Sequence, residues 1–410
     1  MSRVHIIGAG LAGLSAAVSV TKAGHQATLY EAGPAAGGRC RSYFDRALGA
    51  RIDNGNHLLL SGNDAAMGFL TTIGARDSMT GPGRALFPFM DIGSGERWTV
   101  EPGDGVVPWW VLTRRVPGTK LSDYLALLKL RFAGKDASVE AAIGGSALYR
   151  KLLEPLAVSG LNTPADQALA SLMWAVVEGS LLRGGAACVP LVPEIGLSES
   201  FIDPAVAWLN ERGATLHLST RVSAFTMAEG RVGALVTPAG PVALAAGDRV
   251  ISAVPPWVAA DLVPGLPAPD AFEAIINVHY RCDADPGAAG FVGLVGGTAE
   301  WIFIKPGIVS VTISAANRLL DVPVDDIATR CWSDIRMALG LGLAMPPVRV
   351  VREKRATFAA TAANEAKRPQ SDLGLTHFAV AGDWTATGLP ATIEGAIRSG
   401  QAAAHAVFPR

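Results

Sequence analysis

The chain has 410 residues with 35 basic and 36 acidic side chains, a length sufficient for two or more cores and a charge balance that argues against nucleic acid as a partner. Its four cysteines have no C-x-x-C spacing, which argues against a disulfide scaffold or a zinc site and makes a reducing, cytoplasmic compartment the expectation. No apolar run approaches the roughly 20 residues of a membrane-spanning helix. Hydrophobic residues nevertheless make up 50% of the chain, a content that leaves room for an apolar pocket or a membrane-facing patch.

The first motif extends from Val4 to Glu31. An apolar run precedes Gly8-Ala9-Gly10-Leu11-Ala12-Gly13, and an alanine-rich segment leads to a second apolar run, which predicts strand, tight turn, helix and strand. Gly8 permits the turn, Gly10 lets a pyrophosphate approach the backbone, and Gly13 lets the helix pack closely on the sheet. Glu31 lies about 20 residues downstream, where a carboxylate can bind an adenosine ribose. The dinucleotide-binding residues predicted here are Gly8, Gly10, Leu11, Ala12, Gly13, Glu31 and Ala32.

Two polar segments follow. The first is a glycine-rich loop behind the second strand, where an arginine can form charge-assisted hydrogen bonds to the same pyrophosphate; a solvated turn is the alternative. The second, Ile52 to Asn63, places five polar or glycine residues directly before three leucines and indicates backbone and amides close to a cofactor ring, although a turn with a structural histidine gives the same pattern. The predicted cofactor contacts are Gly38, Arg39, Asn54, Gly55 and Asn56, and the candidate catalytic residues are His57 and Asn56.

The region from Trp109 to Phe132 combines aromatic and basic residues with an apolar stripe. The stripe recurs at helical spacing and predicts a helix over 121–132; its members are Leu121, Tyr124, Leu125, Leu128 and Phe132. Tryptophans beside arginines, followed by an amphipathic helix, are typical of a membrane-docking surface. Packing against a core explains the same stripe, so the sequence leaves the choice open.

The middle of the chain alternates helical and strand patterns. Helical periodicity extends from Ala147 to Glu178 and from Gly196 to Asn210, and a strand is predicted over 215–222 with Val222 near the adenine. A further strand stops at Pro255-Pro256. Four later strand-like runs and one helix follow, at 275–280, 291–294, 301–305, 308–313 and 324–341. This part of the sequence contains no metal-ligand spacing and no serine-centred hydrolase motif.

The last motif is a short apolar strand that ends in Gly382-Asp383, followed by a helix that begins near Ala391. The aspartate can accept a hydrogen bond from a ribityl hydroxyl. The positive end of the helix can stabilise the anionic edge of a reduced flavin. The predicted flavin-binding residues of this motif are Gly382, Asp383, Thr392 and Ile393.

Together these elements predict an α/β protein with a two-dinucleotide-binding-domain, Rossmann-like FAD fold and an inserted α+β substrate domain. The predicted segments of the FAD-binding domain are 1–57, 194–256 and 348–410, and those of the substrate domain are 58–193 and 257–347. Segment 58–193 contains the helix that is a candidate for membrane contact.

With both ends considered, the chain resembles the flavoproteins of the amine oxidase and phytoene desaturase superfamily. Three segments, Ile52–Asn63, Pro190–Glu199 and Ala381–Ala396, are similar to those of the hydroxysqualene dehydroxylase family. This resemblance implies reduction of hydroxysqualene, an apolar isoprenoid, to squalene by hydride transfer from N5 of reduced FAD to an allylic carbocation. The cysteine nearest before the last motif, Cys331, is far upstream, so we expect FAD to be held noncovalently.

The resemblance leaves several alternatives open. A carotenoid or phytoene-type desaturase or isomerase uses the same fold, as does a flavin amine oxidase, and a prenyl-binding escort without redox activity is a third alternative. The expected location is cytoplasmic. The expected partner is either a membrane surface, in peripheral contact, or an upstream pathway enzyme that delivers the substrate. The sequence does not select between these two partners.

Overall fold

We describe a computed structural model of the chain, which covers residues 2–103, 115–228, 231–375 and 377–408. Within these ranges the strands are β1 (Arg3–Ile7), β2 (Gln26–Tyr30), β3 (Ser42–Asp45), β4 (Ala50–Asp53), β5 (Leu59–Leu60), β6 (Met79–Thr80), β7 (Phe87–Asp91), β8 (Arg97–Val100), β9 (Pro190–Pro193), β10 (Thr215–His217), β11 (Ala224–Ala228), β12 (Arg231–Thr237), β13 (Gly240–Ala243), β14 (Arg249–Ser252), β15 (Phe272–Arg281), β16 (Phe291–Val295), β17 (Trp301–Lys305), β18 (Ile308–Ile313), β19 (Val348–Phe358) and β20 (Phe378–Val380).

The α-helices are α1 (Leu11–Lys22), α2 (Asp64–Thr72), α3 (Leu121–Leu125), α4 (Val139–Ile143), α5 (Glu154–Leu161), α6 (Ala170–Gly179), α7 (Asp203–Asn210), α8 (Pro256–Leu262), α9 (Val324–Leu339), α10 (Ala362–Glu365) and α11 (Ile393–Ala406). Short 3₁₀ turns cover Arg76–Ser78, Ala126–Leu130, Leu181–Arg183, Gly185–Ala187 and Ala316–Leu319, and π-helical turns cover Tyr149–Leu153 and Ser198–Ile202. Among these helices none combines the length and hydropathy that a membrane crossing needs.

A five-stranded parallel sheet organises the cofactor side of the molecule, with strand order β10-β2-β1-β14-β20. Its strands come from separate parts of the chain, and β1 lies in the middle, paired with β2 and β14. Because all five strands are parallel, their carboxyl ends lie at one edge. The glycine turn after Ile7, Glu31 after Tyr30 and Asp383 after Val380 all follow strands at this edge.

Helices α1 and α11 cover one face of this sheet and pack directly on each other. Gly400 makes that approach feasible, since a Cβ there would lie 2.2 Å from the carbonyl oxygen of Ala12. The opposite face carries the antiparallel sheet β11-β12-β13 and helix α8, which bury Val222, Leu235 and Trp384 with the parallel strands. The cofactor side therefore has two separate hydrophobic layers around one sheet.

A second, seven-stranded sheet has the order β19-β15-β18-β17-β16-β7-β8. One face packs against α9 through residues such as Ile276 and Ile335. The other face carries Phe291, Trp301 and Phe303 and packs against the helical segments between residues 121 and 179. The elements alternate between the two sheets along the chain, and the predicted domain segments stay predictions.

Most predicted elements are confirmed, including the four strand-like runs of the second sheet and the helix that begins at Val324. The strand predicted over 215–222 is wrong beyond His217, because Ser219 adopts a φ of 51° and its N–H donates to the carbonyl of Gly33 at 2.8 Å. The helix predicted over 121–132 is α-helical only to Leu125 and continues as a 3₁₀ helix to Leu130. Residues 109–114 of the predicted interfacial region lie outside the described residues.

Candidate active site

The glycine turn after β1 uses its three glycines for different reasons. Gly8 has a φ of 97°, and a Cβ there would lie 2.7 Å from the carbonyl oxygen of Ala253. A Cβ on Gly13 would lie 1.9 Å from the carbonyl oxygen of Gly8, so both positions require glycine for the fold itself. Gly10 differs: a Cβ there meets no atom within 4 Å, and its backbone is extended at φ −74°. The protein alone gives no reason for glycine at position 10, whereas a ligand in van der Waals contact does.

The N-terminus of α1 offers the matching binding chemistry. Gly10 is its N-cap residue, no side chain caps the helix, and its first turn, which includes Leu11 and Ala12, contains no acidic residue. The first N–H groups of a helix have no intrahelical acceptor and lie at the positive end of the helix dipole. This end of α1, next to the open space at Gly10, fits a pyrophosphate.

Glu31 lies against the glycine turn. One carboxylate oxygen accepts a hydrogen bond from the N–H of Ala9 at 2.8 Å, and the other accepts one from Gly33, beyond Ala32, at 2.7 Å. A carboxylate has about four acceptor sites, so these two bonds leave capacity for ribose hydroxyls. A Cβ on Gly38 would lie 3.6 Å from the Cα of Gly10, which shows that the arginine loop lies over the same turn.

Arg39 and Asp383 meet although they are 344 positions apart in the chain. Nη2 of Arg39 donates to both carboxylate oxygens of Asp383, at 2.8 and 2.7 Å. The aspartate side chain is only 8% exposed, and a small cleft beside the pair is lined in part by Trp257, Phe358 and Trp384. The two predicted cofactor ligands therefore form one charged centre, and Asp383 keeps acceptor capacity for a ribityl hydroxyl.

Arg368, which the sequence did not reveal as a site residue, holds the loop that carries Asp383. Its fully buried guanidinium donates to the carbonyl oxygens of Asp383 at 3.2 Å and Thr385 at 2.9 Å, and to Oγ1 of Thr387 at 3.0 Å. It also pairs with Glu365 at 2.7 Å. No local pattern marks this arginine, because the carbonyl groups that it holds in the Asp383 loop are 15 and 17 residues away.

The remaining predicted cofactor residues lie in three places on the cofactor side of the fold. Val222 is buried in the layer that contains Tyr30, and its place near the adenine stays a prediction. Thr392 caps α11 by accepting from the N–H of Gly395 at 3.0 Å, and Ile393 is the first helical residue. The N–H of Gly382 donates to Oγ of Ser399 at 2.9 Å, which joins the end of β20 to α11.

The loop Asn54–Asn56 is fixed by Asn277 on β15, a second residue that the sequence did not reveal. The Asn277 side chain is 1% exposed, and its Oδ1 accepts from the N–H of Asn56 at 3.3 Å and from Oγ1 of Thr312 at 2.9 Å. Its Nδ2 donates to the carbonyl oxygen of Asn54 at 3.4 Å. A Cβ on Gly55 would lie 3.2 Å from the same Nδ2, so the loop and the second sheet are in direct contact.

Two histidines lie close to this loop, and both are neutral near pH 7. Burial lowers the pKa of His57 to about 4, partly opposed by the charge of Asp53, with Arg39 lowering it further. Burial also lowers the pKa of His279 to about 4, and its Nδ1 hydrogen-bonds Oγ of Ser310 at 2.7 Å. Asp53 forms an ion pair with Lys305 at 2.9 Å. At neutral pH His57 is therefore an uncharged imidazole.

The lowered pKa of His279 predicts a pH-dependent stability. Its unfolded-state pKa is about 6.5, so between about pH 6.5 and 4 unfolding takes up a proton at this site and stability falls as the pH falls. Replacement by asparagine removes this titration. Between about pH 7.5 and 5.5, we expect His279→Asn to lose less unfolding free energy than the unsubstituted protein, by on the order of 1 kcal/mol in urea titrations. An equal loss in both proteins would contradict the assigned pKa direction.

One face of the seven-stranded sheet changes from polar to aromatic across its width. Residues that oppose each other on neighbouring strands point to the same face. The two rows on this face are Asn277, Thr312, Trp301, Gly293 and Phe89, and His279, Ser310, Phe303 and Phe291. The polar half contacts Asn56, and the aromatic half packs against the helical layer, to which Leu58 also belongs. His57 lies between these two neighbours in the chain, at the boundary between polar and apolar surroundings.

Comparison with known proteins agrees with this geometry. The family model described as "Flavin containing amine oxidoreductase" matches residues 11–281 and 304–408. The hydroxysqualene dehydroxylases of Zymomonas mobilis subsp. mobilis and Sinorhizobium fredii are each 46% identical to the chain; the first match covers 98% of both chains, and the second covers 98% of this chain and 97% of the relative. The structure of cyclohexylamine oxidase from Brevibacterium oxydans superposes with a TM-score of 0.70 at 17% identity, over 99% of this chain and 98% of that one, and so confirms the predicted fold class. The chain belongs to the flavin-containing amine oxidoreductase family and, within it, to the hydroxysqualene dehydroxylases.

Proposed function

We propose that the chain binds FAD and uses its reduced form to convert hydroxysqualene to squalene. In this reaction the carbon–oxygen bond of the substrate breaks, a carbon–hydrogen bond forms, and the hydroxyl group leaves as water after taking up a proton. Reduced FAD supplies the hydride and is itself oxidised. The full-length similarity to hydroxysqualene dehydroxylases supports the substrate, and the residues at the carboxyl edge of the parallel sheet fit the cofactor.

The observation that carries this proposal is the divided face of the seven-stranded sheet. Its polar half, at Asn277 and Thr312, meets Asn56 of the adjoining loop, and together these side chains offer hydrogen-bonding groups suited to a single hydroxyl group. Its aromatic half, which includes Trp301 and Phe303, is buried in an apolar layer of the kind that an isoprenoid chain would need around it. Loss of an allylic hydroxyl leaves a delocalised cation, and the faces of aromatic rings attract a cation. Because aromatic faces also attract ammonium groups, the preference for a hydroxylated hydrocarbon over an amine rests on the similarity to hydroxysqualene dehydroxylases.

Within the proposal, His57 and Asn56 act on the leaving hydroxyl as hydrogen-bond donors. The pKa of His57, lowered to about 4 by burial, means that the imidazole is neutral at the working pH. We expect His57→Ala to retain its flavin and to lose turnover by about tenfold or more, and His57→Gln, which keeps an N–H donor, to lose less. Turnover should show no His57 inflection between about pH 6 and 8. Unchanged turnover in His57→Ala would remove this residue from the mechanism.

We further propose that FAD is held without a covalent bond. Cys40 is the cysteine beside the predicted flavin ligand Arg39, and it is 5% exposed, with a thiol pKa that burial raises well above its usual range. Such a thiol is a poor nucleophile. Acid denaturation should therefore release all of the yellow colour into the supernatant as intact FAD. Flavin that remains in the protein pellet would contradict noncovalent binding.

The decisive experiment mixes the anaerobically reduced protein with hydroxysqualene and follows the flavin absorbance. Reoxidation with squalene as the product supports the proposed reaction. A flavin that stays reduced with hydroxysqualene contradicts it, and oxidised enzyme that forms polyenes from phytoene-like substrates would establish the desaturase alternative. Oxidation of amines under the same conditions would establish an amine oxidase.

A further inference from the structure

The helical segment 121–132, formed by α3, the following 3₁₀ turn and Phe132, has two apolar faces. Tyr124, Leu127 and Leu130 face inward and pack in the layer that also contains the aromatic residues of the seven-stranded sheet. The outward face consists of Leu121, Leu125, Leu128 and Phe132, which are 45%, 67%, 47% and 80% exposed. Core packing therefore explains only the inward residues. We call the four exposed residues the outward apolar face.

Basic residues surround the outward apolar face. Residues 115–135 contain five basic side chains and one acidic one, namely Arg115, Lys120, Lys129, Arg131 and Lys135 against Asp123, in a chain whose formal net charge is −1. All five basic residues are exposed. Large apolar side chains beside lysine and arginine are what an interfacial helix needs to bind an anionic lipid surface, since the apolar groups enter the acyl boundary while the cations meet the headgroups.

We propose that this segment docks the protein on the surface of an anionic lipid bilayer. The charge pattern favours lipid over a second copy of the chain, because a symmetric interface would bring two sets of five positive charges together. Continuity with the interior supports the same occupant. The inward residues Leu127 and Leu130 belong to the same hydrophobic layer as Trp301 and Phe303, so the segment is continuous with the apolar interior. The docking proposal itself stands on exposure and charge and does not depend on the identity of the substrate.

The test is sedimentation of the flavin-loaded protein with vesicles. We expect the protein to bind vesicles of phosphatidylcholine mixed with phosphatidylglycerol and to bind pure phosphatidylcholine much less, with added salt weakening the anionic binding. The double variant Leu125→Glu/Phe132→Glu should bind at least about tenfold more weakly. Lys129→Gln and Lys135→Gln should each weaken binding to anionic vesicles about fivefold.

Phe44→Glu is the matched control, because Phe44 is 61% exposed on β3, outside this segment. It should bind vesicles as the unsubstituted protein does, and all variants should keep their flavin content and far-ultraviolet circular dichroism. Absence of vesicle binding by the unsubstituted protein would overturn the proposal, as would equal binding by the Leu125→Glu/Phe132→Glu variant. A dimer that this variant converts to a monomer, without vesicle binding in either protein, would assign the face to contact between copies instead.

Discussion

Gly10→Ala is expected to give a folded protein that no longer retains flavin. A Cβ at this position meets no protein atom within 4 Å, and the φ of −74° suits any residue. The free energy of unfolding of the Gly10→Ala apoprotein should therefore differ from that of the unsubstituted apoprotein by no more than about 1 kcal/mol. The added methyl group would instead occupy the space through which a pyrophosphate approaches the helix end. We expect the affinity for FAD to fall by at least about a hundredfold, ~2.7 kcal/mol, in titrations of the apoprotein.

Two other glycines provide the controls. A Cβ added to Gly68, in the middle of α2, also meets no atom within 4 Å, so Gly68→Ala should leave flavin affinity unchanged and should stabilise the apoprotein by about 0.5–1 kcal/mol, as alanine favours a helix over glycine. Gly13→Ala would place its Cβ 1.9 Å from the carbonyl oxygen of Gly8 and should destabilise the apoprotein itself. If Gly10→Ala binds FAD as tightly as Gly68→Ala does, the pyrophosphate does not lie against this turn.

The cofactor side of the fold is predictable because its signals are local. The glycine turn and the acidic residue after β2 lie within about 30 consecutive residues, as do β20, Gly382 and the helix that follows, a span over which periodicity and turn chemistry can be interpreted. The strand prediction over 215–222 is wrong for the opposite reason, since a contact distant in the sequence decides it. Ser219 and Thr220 donate to the carbonyl oxygens of Gly33 and Glu31, so a distant loop decides where that strand ends.

The same distinction separates the predicted and the missed site residues. His57 stands in a dense polar segment, whereas Asn277 lies in a strand of mostly apolar residues and reaches Asn56 across 221 positions. An isolated asparagine in such a strand gives no sign of its partner. The outward apolar face is a third case: helical spacing predicts the stripe, but only the packed structure shows that Tyr124 points inward while Leu125 and Phe132 remain exposed.

Arg368→Lys is expected to lower both the stability and the flavin content. The guanidinium is fully buried, donates to three successive carbonyl groups and one hydroxyl, and stacks 4.8 Å from the ring centre of Phe358. Lysine has three donors on a single nitrogen and cannot reproduce this fork, so buried carbonyls near Asp383 would lose their partners. At about 1–3 kcal/mol for each unsatisfied buried group, we expect a destabilisation of several kcal/mol.

Flavin affinity distinguishes a positioning role of Arg368 from a purely structural one. Measured at a temperature where the variant is folded, FAD binding to Arg368→Lys should still be weaker, because the carboxylate of Asp383 is no longer fixed beside Arg39. Arg398→Lys is the matched control: that arginine is 45% exposed and pairs only with Glu394 at 2.8 Å among the described residues, so its loss should change stability by no more than about 1 kcal/mol and leave FAD affinity unchanged. If folded Arg368→Lys binds FAD with unchanged affinity, Arg368 stabilises the loop without orienting Asp383 toward the cofactor.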